Sequence, residues 1–220
     1  MGDFQTHEHD VLVIGAGGAG LRAAIGAAAV EGCSVGLVCK SLLGKAHTVM
    51  AEGGVAAAMA NVDERDGWET HFADTMRGGQ YLNNPKMAEL HAKEAPARVH
   101  ELEEWGALFD RTQDGRILQR NFGGHAYPRL AHVGDRTGLE MIRTLQDHGI
   151  HQGIQVHMEC TILELLKDGD RIAGALGYWR ETGRFVLDAK PVPIVDLLRR
   201  IAEIDRVSYA SRQLTIAVLA

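Results

Sequence analysis

Apolar residues run along this chain in short blocks punctuated by glycine, and the period of the pattern switches between strand and helix within a few residues. Val11-Leu12-Val13-Ile14 is a continuous apolar run of strand length. Leu21-Arg22-Ala23-Ala24-Ile25-Gly26-Ala27-Ala28-Ala29 follows as a helix of small residues, and Ser34 to Cys39 as a second buried strand. Val55 to Ala60 is expected to open a helix. Residues 66 to 79 and 85 to 105 have helical spacing, with Pro96 expected to divide the second into two. Gln113-Asp114-Gly115-Arg116 is a hairpin turn signal. A further helix, capped by Asp135, is expected to run through Leu145 and Asp147 and to stop near Gly149. Ile154 to Met158 predicts a third short strand, and residues 161 to 187 predict a three-stranded antiparallel meander with turns at Asp168-Gly169-Asp170 and Glu181-Thr182-Gly183. Beyond Leu187 the pattern changes: Pro191-Val192-Pro193 opens an amphipathic helix with Ile194, Leu197, Leu198, Ile201 and Ile204 on one face. Strands alternating with helices predict an α/β domain over 1–187, with a helical tail over 188–220.

Composition narrows this picture. The 220 residues suit one domain or slightly more, at ~100–200 residues per domain. With 45% hydrophobic residues, 24% charged and a net charge of -6, the chain can bury a core and has no basic block suited to nucleic acid. No apolar run approaches the ~20 residues of a membrane span, and MGDFQTHEHD lacks the features of a signal peptide. A cytoplasmic chain is expected, able to dock on a membrane-bound partner. Cys33, Cys39 and Cys160 show no C-x-x-C spacing and read as reduced thiols in or near the core. Among eleven histidines the nearest cluster is His148, His151 and His157, but a helix ending at Gly149 would not keep its first two on one ligand face. No metal site is expected.

The first candidate for chemistry is Gly15-Ala16-Gly17-Gly18-Ala19-Gly20, set between the first strand and the first helix. In that context glycines at 15, 17 and 20 permit a tight turn, close backbone approach to a pyrophosphate and close helix packing, while the helix N-terminus supplies N–H donors. An NAD-type site would also place an acid at the end of the second strand, about twenty residues on, to hold a ribose hydroxyl. This chain has Cys39-Lys40-Ser41 there, which disfavours NAD. The loop from Ser41 to Gly54 begins at that strand's ligand-facing edge, and Gly53 and Gly54 allow backbone to approach a flat ring. On spacing alone His47 reads as a hydrogen-bonding loop histidine. Glu101, Glu103 and Glu104 beside Trp105 read as a solvated helix face. The glycine-rich stretch 119–138, with its arginines and histidines, fits either an anion-binding wall or a surface connection.

Residues 9 to 187 resemble the N-terminal part of the flavoprotein subunit of succinate dehydrogenase and fumarate reductase. Four blocks carry the likeness: Gly15 to Gly20; Cys39 to Gly54; Glu94-Ala95-Pro96 through Glu101-Leu102-Glu103, Arg111-Thr112, Asp114-Gly115, Gln119-Arg120 and Phe122-Gly123-Gly124; and Asp135-Arg136-Thr137-Gly138. The resemblance implies a Rossmann-like, two-dinucleotide-fold FAD-binding domain with an antiparallel meander, incomplete in this chain. Gly15, Gly17, Gly18 and Gly20 would hold the FAD pyrophosphate and Lys40 would sit near the adenosine. His47 would bond covalently to the flavin C8 methyl, a tether thought to raise the reduction potential. Thr48, Ala51, Glu52, Gly53 and Gly54 would line the ring, and Phe122 would stand at a dicarboxylate pocket. The implied reaction is hydride transfer between succinate or fumarate and FAD, with electrons passed to an iron–sulfur subunit held by membrane anchor subunits on the inner face of the cell membrane.

Two departures qualify the likeness. Lys45-Ala46 precedes the histidine where many members have Arg-Ser, which removes a serine hydroxyl and a forked guanidinium. From Asp188 onward the family pattern is lost, and with it the positions of the proton-transfer arginine and later FAD contacts. Arg120, Arg129 and Arg136 have no match to that role. The isolated chain is therefore expected to be inactive. The alternatives are an L-aspartate oxidase-like flavoenzyme with noncovalent FAD, or a non-catalytic flavin-binding or interaction fragment.

Overall fold

A computed structural model describes residues 4–168 and 170–189; of the helical tail expected over 188–220, Asp188 and Ala189 instead end a strand that pairs with its neighbour, and residues 190–220 lie outside the described residues. In chain order the elements are β1 (Phe4–His7), β2 (Val11–Ile14), α1 (Gly18–Ala28), β3 (Val35–Val38), a 3₁₀ turn (His47–Met50), β4 (Val55–Ala56), α2 (Trp68–Gly78), α3 (Pro85–Glu104), β5 (Gln119–Arg120), β6 (Leu130–Ala131), α4 (Thr137–His151), β7 (Gln155–His157), β8 (Cys160–Asp168), β9 (Arg171–Trp179) and β10 (Arg184–Ala189). They form two compact units, one of the described residues up to Ala46 and from Leu145 onward, the other of His47–Thr144; the division cuts α4.

The first unit contains a parallel sheet in the order β2-β3-β7, with Val13 opposite Leu37 and Leu37 opposite Val156. β2 and β3 are apolar and buried almost throughout, as strands covered on both faces require, whereas the edge strand β7 carries an exposed Gln155. Leu21, Ala23, Ala24, Ile25 and Ala27 of α1 are buried, with Gly20 and Gly26, and the alanines and glycines among them let the helix axis approach the strands. The antiparallel meander β8-β9-β10 forms as expected, with bulges between Ile162 and Glu164 and between Leu166 and Lys167. Leu12, Val38, Cys160 and Ala175 form a core on which Ile14, Ile162, Leu165, Ile172 and Trp179 pack. The N-terminal residues add something unforeseen: β1 runs parallel to β10, pairing Phe4 with Phe185. Four residues of mixed polarity give no period from which to read a strand.

The second unit pairs α2 with α3 and holds a small antiparallel sheet in the order β4-β6-β5. Several expectations fail here or at α4. Pro96 does not divide α3, which is continuous. Ala88, Ala92, Ala95, Val99 and Leu102 bury one stripe on both sides of the proline, and that burial holds the helix through a missing N–H. Val55 opens a strand rather than a helix, since Val55 and Ala56 pair with Ala131 and Leu130, and the Gln119 amide donates to Ala57 O at 2.6 Å. α4 continues through Gly149 to His151, and glycine at 149 serves packing, since a Cβ there would meet Ile154 and Ile25 at 3.2–3.5 Å; Gly153, at φ +82°, ends the segment instead. Asp135 does not cap α4: its carboxylate pairs with Arg120 at 2.9 Å.

The other signals hold. The Asp114-Gly115 turn closes a hairpin with Gly115 at φ +85° and Thr112 N–H on Arg116 O at 2.9 Å. Glu101 and Glu103 lie on the helix surface in ion pairs with Arg98, His100 and Arg111. All three cysteines are free, and burial, followed by the neighbouring Cys160, pushes the Cys39 thiol up to about 11, an unreactive state.

Candidate functional site

The glycine turn lies in the first unit and is made almost wholly of backbone. Gly15 takes φ +109°, a conformation L side chains rarely adopt, and donates its N–H to Val38 O at 2.7 Å, which ties the turn to β3. Gly17, extended at φ -77° and ψ 179°, caps α1 without a side chain. Gly18 opens the helix and Gly20 is buried within it. The first intrahelical bond is Leu21 N–H to Gly17 O at 2.9 Å, so the N–H groups before it point out of the helix end. No acidic residue stands in that first turn to oppose an anion. Lys40 is exposed just past β3, and the sequence there carries no carboxylate. These features fit a diphosphate.

The His47 loop lies in the second unit and is held by residues from far along the chain. His47, Ala51 and Glu52 are exposed, with Thr48 half-buried in the 3₁₀ turn. On one side α4 abuts the loop: Gly138 N–H donates to Ala51 O at 2.8 Å, and a Cβ at 138 would lie 1.9 Å from Thr48 O. On the other, Arg120 Nε donates to Gly53 O at 2.8 Å and its Nη2 to Glu52 O. A Cβ at Gly53 would press the Phe122 ring at 3.2 Å. Gly54, at φ +122°, lies where a Cβ would be 2.8 Å from Ala131 O. Phe122 itself is 61% exposed. The structure thus brings together Thr48, Ala51, Glu52, Gly53, Gly54 and Phe122 of the expected set in one loop and its supports.

Two of the three arginines considered for proton transfer are committed elsewhere. Arg120 grips the loop, and Arg129 is fully buried with Nη2 at 2.8 Å from Asp66 and 3.1 Å from Asp74. Arg136 is exposed. Around Arg129 lie His71, His91 and His125, with ring centroids 5.3 and 5.9 Å from His71. Burial, then the neighbouring His91 and the Arg129 charge, lowers His71 to about 3; burial also lowers His91 and His125 and raises Asp66. Arg129 O accepts from Ala57 N–H at 2.9 Å, and Asp74 accepts from Ala126 N–H at 2.8 Å, so the buried charges fix the segment that backs Gly53 and Gly54. Sequence spacing gave no sign of this network, because its members come from three separate segments. Among the described residues no group of His, Cys, Asp or Glu is arranged to hold a metal ion, although His148 and His151 do share α4.

Comparison with known proteins agrees with this reading. The family model described as FAD binding domain matches residues 10–190. A subunit of the CoM/CoB fumarate reductase of Methanothermobacter marburgensis is 45% identical over 176 residues, covering 80% of this chain and 32% of that protein. The succinate dehydrogenase flavoprotein subunit of Rickettsia conorii is 36% identical over 185 residues, covering 80% and 31%. Among solved structures, Mycobacterium smegmatis Sdh1 in complex with UQ1 superposes with a TM-score of 0.81 at 62% identity, covering 86% of this chain and 33% of that one. The chain spans about a third of the length of the curated relatives it matches. It belongs to the FAD-binding domain family, and within that family it is similar to the flavoprotein subunits of succinate dehydrogenase and fumarate reductase.

Proposed function

We propose that residues 1–187 are the FAD-binding part of a succinate dehydrogenase or fumarate reductase flavoprotein. Gly15, Gly17, Gly18 and Gly20 hold the diphosphate, Lys40 stands near the adenosine, and Thr48, Ala51, Glu52, Gly53 and Gly54 line the ring. His47, exposed in its 3₁₀ turn, forms the covalent tether, and Phe122 contributes to a dicarboxylate pocket. The observation that carries this reading is the His47 loop, pinned by Gly138 and Arg120, with Phe122 beside Gly53. Bound FAD supplies the two-electron chemistry that interconverts succinate and fumarate and passes electrons to an iron–sulfur subunit. This chain's residues bind and orient that cofactor; none of them is placed as the proton donor. Membrane association would come through the partner subunits of such a complex; among the described residues no helix is long and apolar enough to cross a membrane.

The test is the intact mass of the chain after expression in a host that assembles such complexes. One added FAD is expected, retained through acid precipitation and lost in His47→Ala. Full release of flavin on precipitation would overturn the tether and favour the noncovalent, aspartate oxidase-like reading. A chain that binds no FAD at all would overturn the assignment.

A further inference from the structure

Arg120 stands at the end of β5, 67 and 68 residues from the two loop carbonyls it binds. Its Nε donates to Gly53 O at 2.8 Å, its Nη2 to Glu52 O, and its Nη1 to Asp135 Oδ1 at 2.9 Å. Three faces of one guanidinium are used, two of them on adjacent carbonyls. No cis peptide bond occurs among the described residues, and in a trans peptide the carbonyl and the following N–H point in opposite directions. Fixing Glu52 O and Gly53 O on the guanidinium therefore turns the Gly53 and Gly54 N–H groups away from it. Neither N–H donates a hydrogen bond among the described residues. With no side chain at 53 or 54, neither donor is covered by a side chain of its own residue, and the Phe122 ring stands beside Gly53.

We propose that Arg120 is a positioning residue: it sets the direction of the Gly53 and Gly54 amides so that both donate to an electron-rich edge of the bound ring, with Asp135 aiming the guanidinium. This rests on the reading that the loop holds the flavin. Two oriented donors stabilise negative charge on the reduced ring and so favour reduction. A guanidinium is needed because its planar fork meets two adjacent carbonyls at once, whereas an ammonium is a point charge. Asp135 is largely exposed, so its ion pair contributes little energy and serves mainly for aim.

The test compares the full chain with Arg120→Lys, Arg120→Gln and Asp135→Asn by two measurements. In the flavin-free chain, backbone ¹⁵N order parameters at Gly53 and Gly54 are expected to fall in Arg120→Gln from a rigid value of ~0.85 towards ~0.6, with Arg120→Lys and Asp135→Asn between. In the flavin-loaded chain the midpoint potential is expected to fall in the same order, and guanidinium ion is expected to restore part of it in Arg120→Gln but not in Asp135→Asn. Unchanged order parameters in Arg120→Gln, or an unchanged potential with FAD still bound, would overturn the proposal. A wild-type chain that takes up no FAD would sink the functional reading alone, because the relaxation measurement still decides what Arg120 does.

Discussion

The glycine turn of the first unit and the His47 loop of the second both depend on glycine where backbone conformation or close packing excludes a side chain, but they are held in opposite ways. The turn is self-contained. Its geometry comes from Gly15 at φ +109°, the side-chain-free Gly17 cap and one bond from Gly15 to Val38, all within 24 residues. The loop has little regular structure of its own beyond one 3₁₀ turn, and takes its shape from Arg120, Phe122, Ala131 and Gly138. A ligand site built from local backbone is robust and legible; one built from distant side chains is tunable, and vulnerable at each support.

The strongest way to break this contrast is to remove a support of the second unit. Arg129→Ala leaves Asp66 and Asp74 without their buried partner, and a loss of ~3–5 kcal/mol in denaturant unfolding is expected. A cost no greater than that of a surface substitution would show that the buried charges do not hold this unit together. Next comes Gly138→Ala. Its Cβ would meet Thr48 O and the Ala51 backbone, which cannot swing aside as a side chain does, so ~1–3 kcal/mol is expected together with loss of covalent flavin.

Gly15→Ala sharpens the comparison from the other side. Nothing lies within 4 Å of a Cβ there, so only the left-handed backbone is penalised, and ~1–2 kcal/mol is expected by the same unfolding measurement. If it proved more costly than Gly138→Ala, the distinction between local and distant support would be wrong.

The smallest effect at neutral pH concerns His71. Folded, it stays neutral down to about 3, whereas its ordinary value is 6.5. Between those values the unfolded chain binds the extra proton, so this contribution to stability is complete above pH 6.5 and is lost as pH falls towards 3. His91 and His125 act with the same sign; Asp66, raised by burial, acts against them at the acid end. Urea unfolding at about pH 7 and about pH 5 is expected to show a shallower loss in His71→Asn than in wild type, with Gly15→Ala leaving the slope unchanged. Equal slopes for wild type and His71→Asn would remove His71 from the account.

Patterns with a local cause were legible in the chain. Apolar runs predicted β2, β3 and the meander, and glycine spacing between a strand and a helix predicted the turn at 15–20. The expectations that failed share a cause as well. Pro96 and Gly149 are breakers by propensity, yet each lies inside a helix whose buried face extends past it on both sides or packs closely at that residue. Asp135 had a cap's chemistry but was taken by Arg120.

By itself, then, the sequence determined the α/β class, the glycine turn between the first strand of the parallel sheet and the first helix and, through the residues surrounding His47, a likeness to flavoprotein subunits. Those depend on periodicity and on what glycine permits, both properties of neighbouring residues. Only the tertiary structure decided that Arg120 clamps the loop, that Arg129 is buried among carboxylates and that position 138 must lack a side chain. Each depends on which distant atoms meet, and hydrogen bonds and steric exclusion act over a few ångströms in space however far apart their partners stand along the chain.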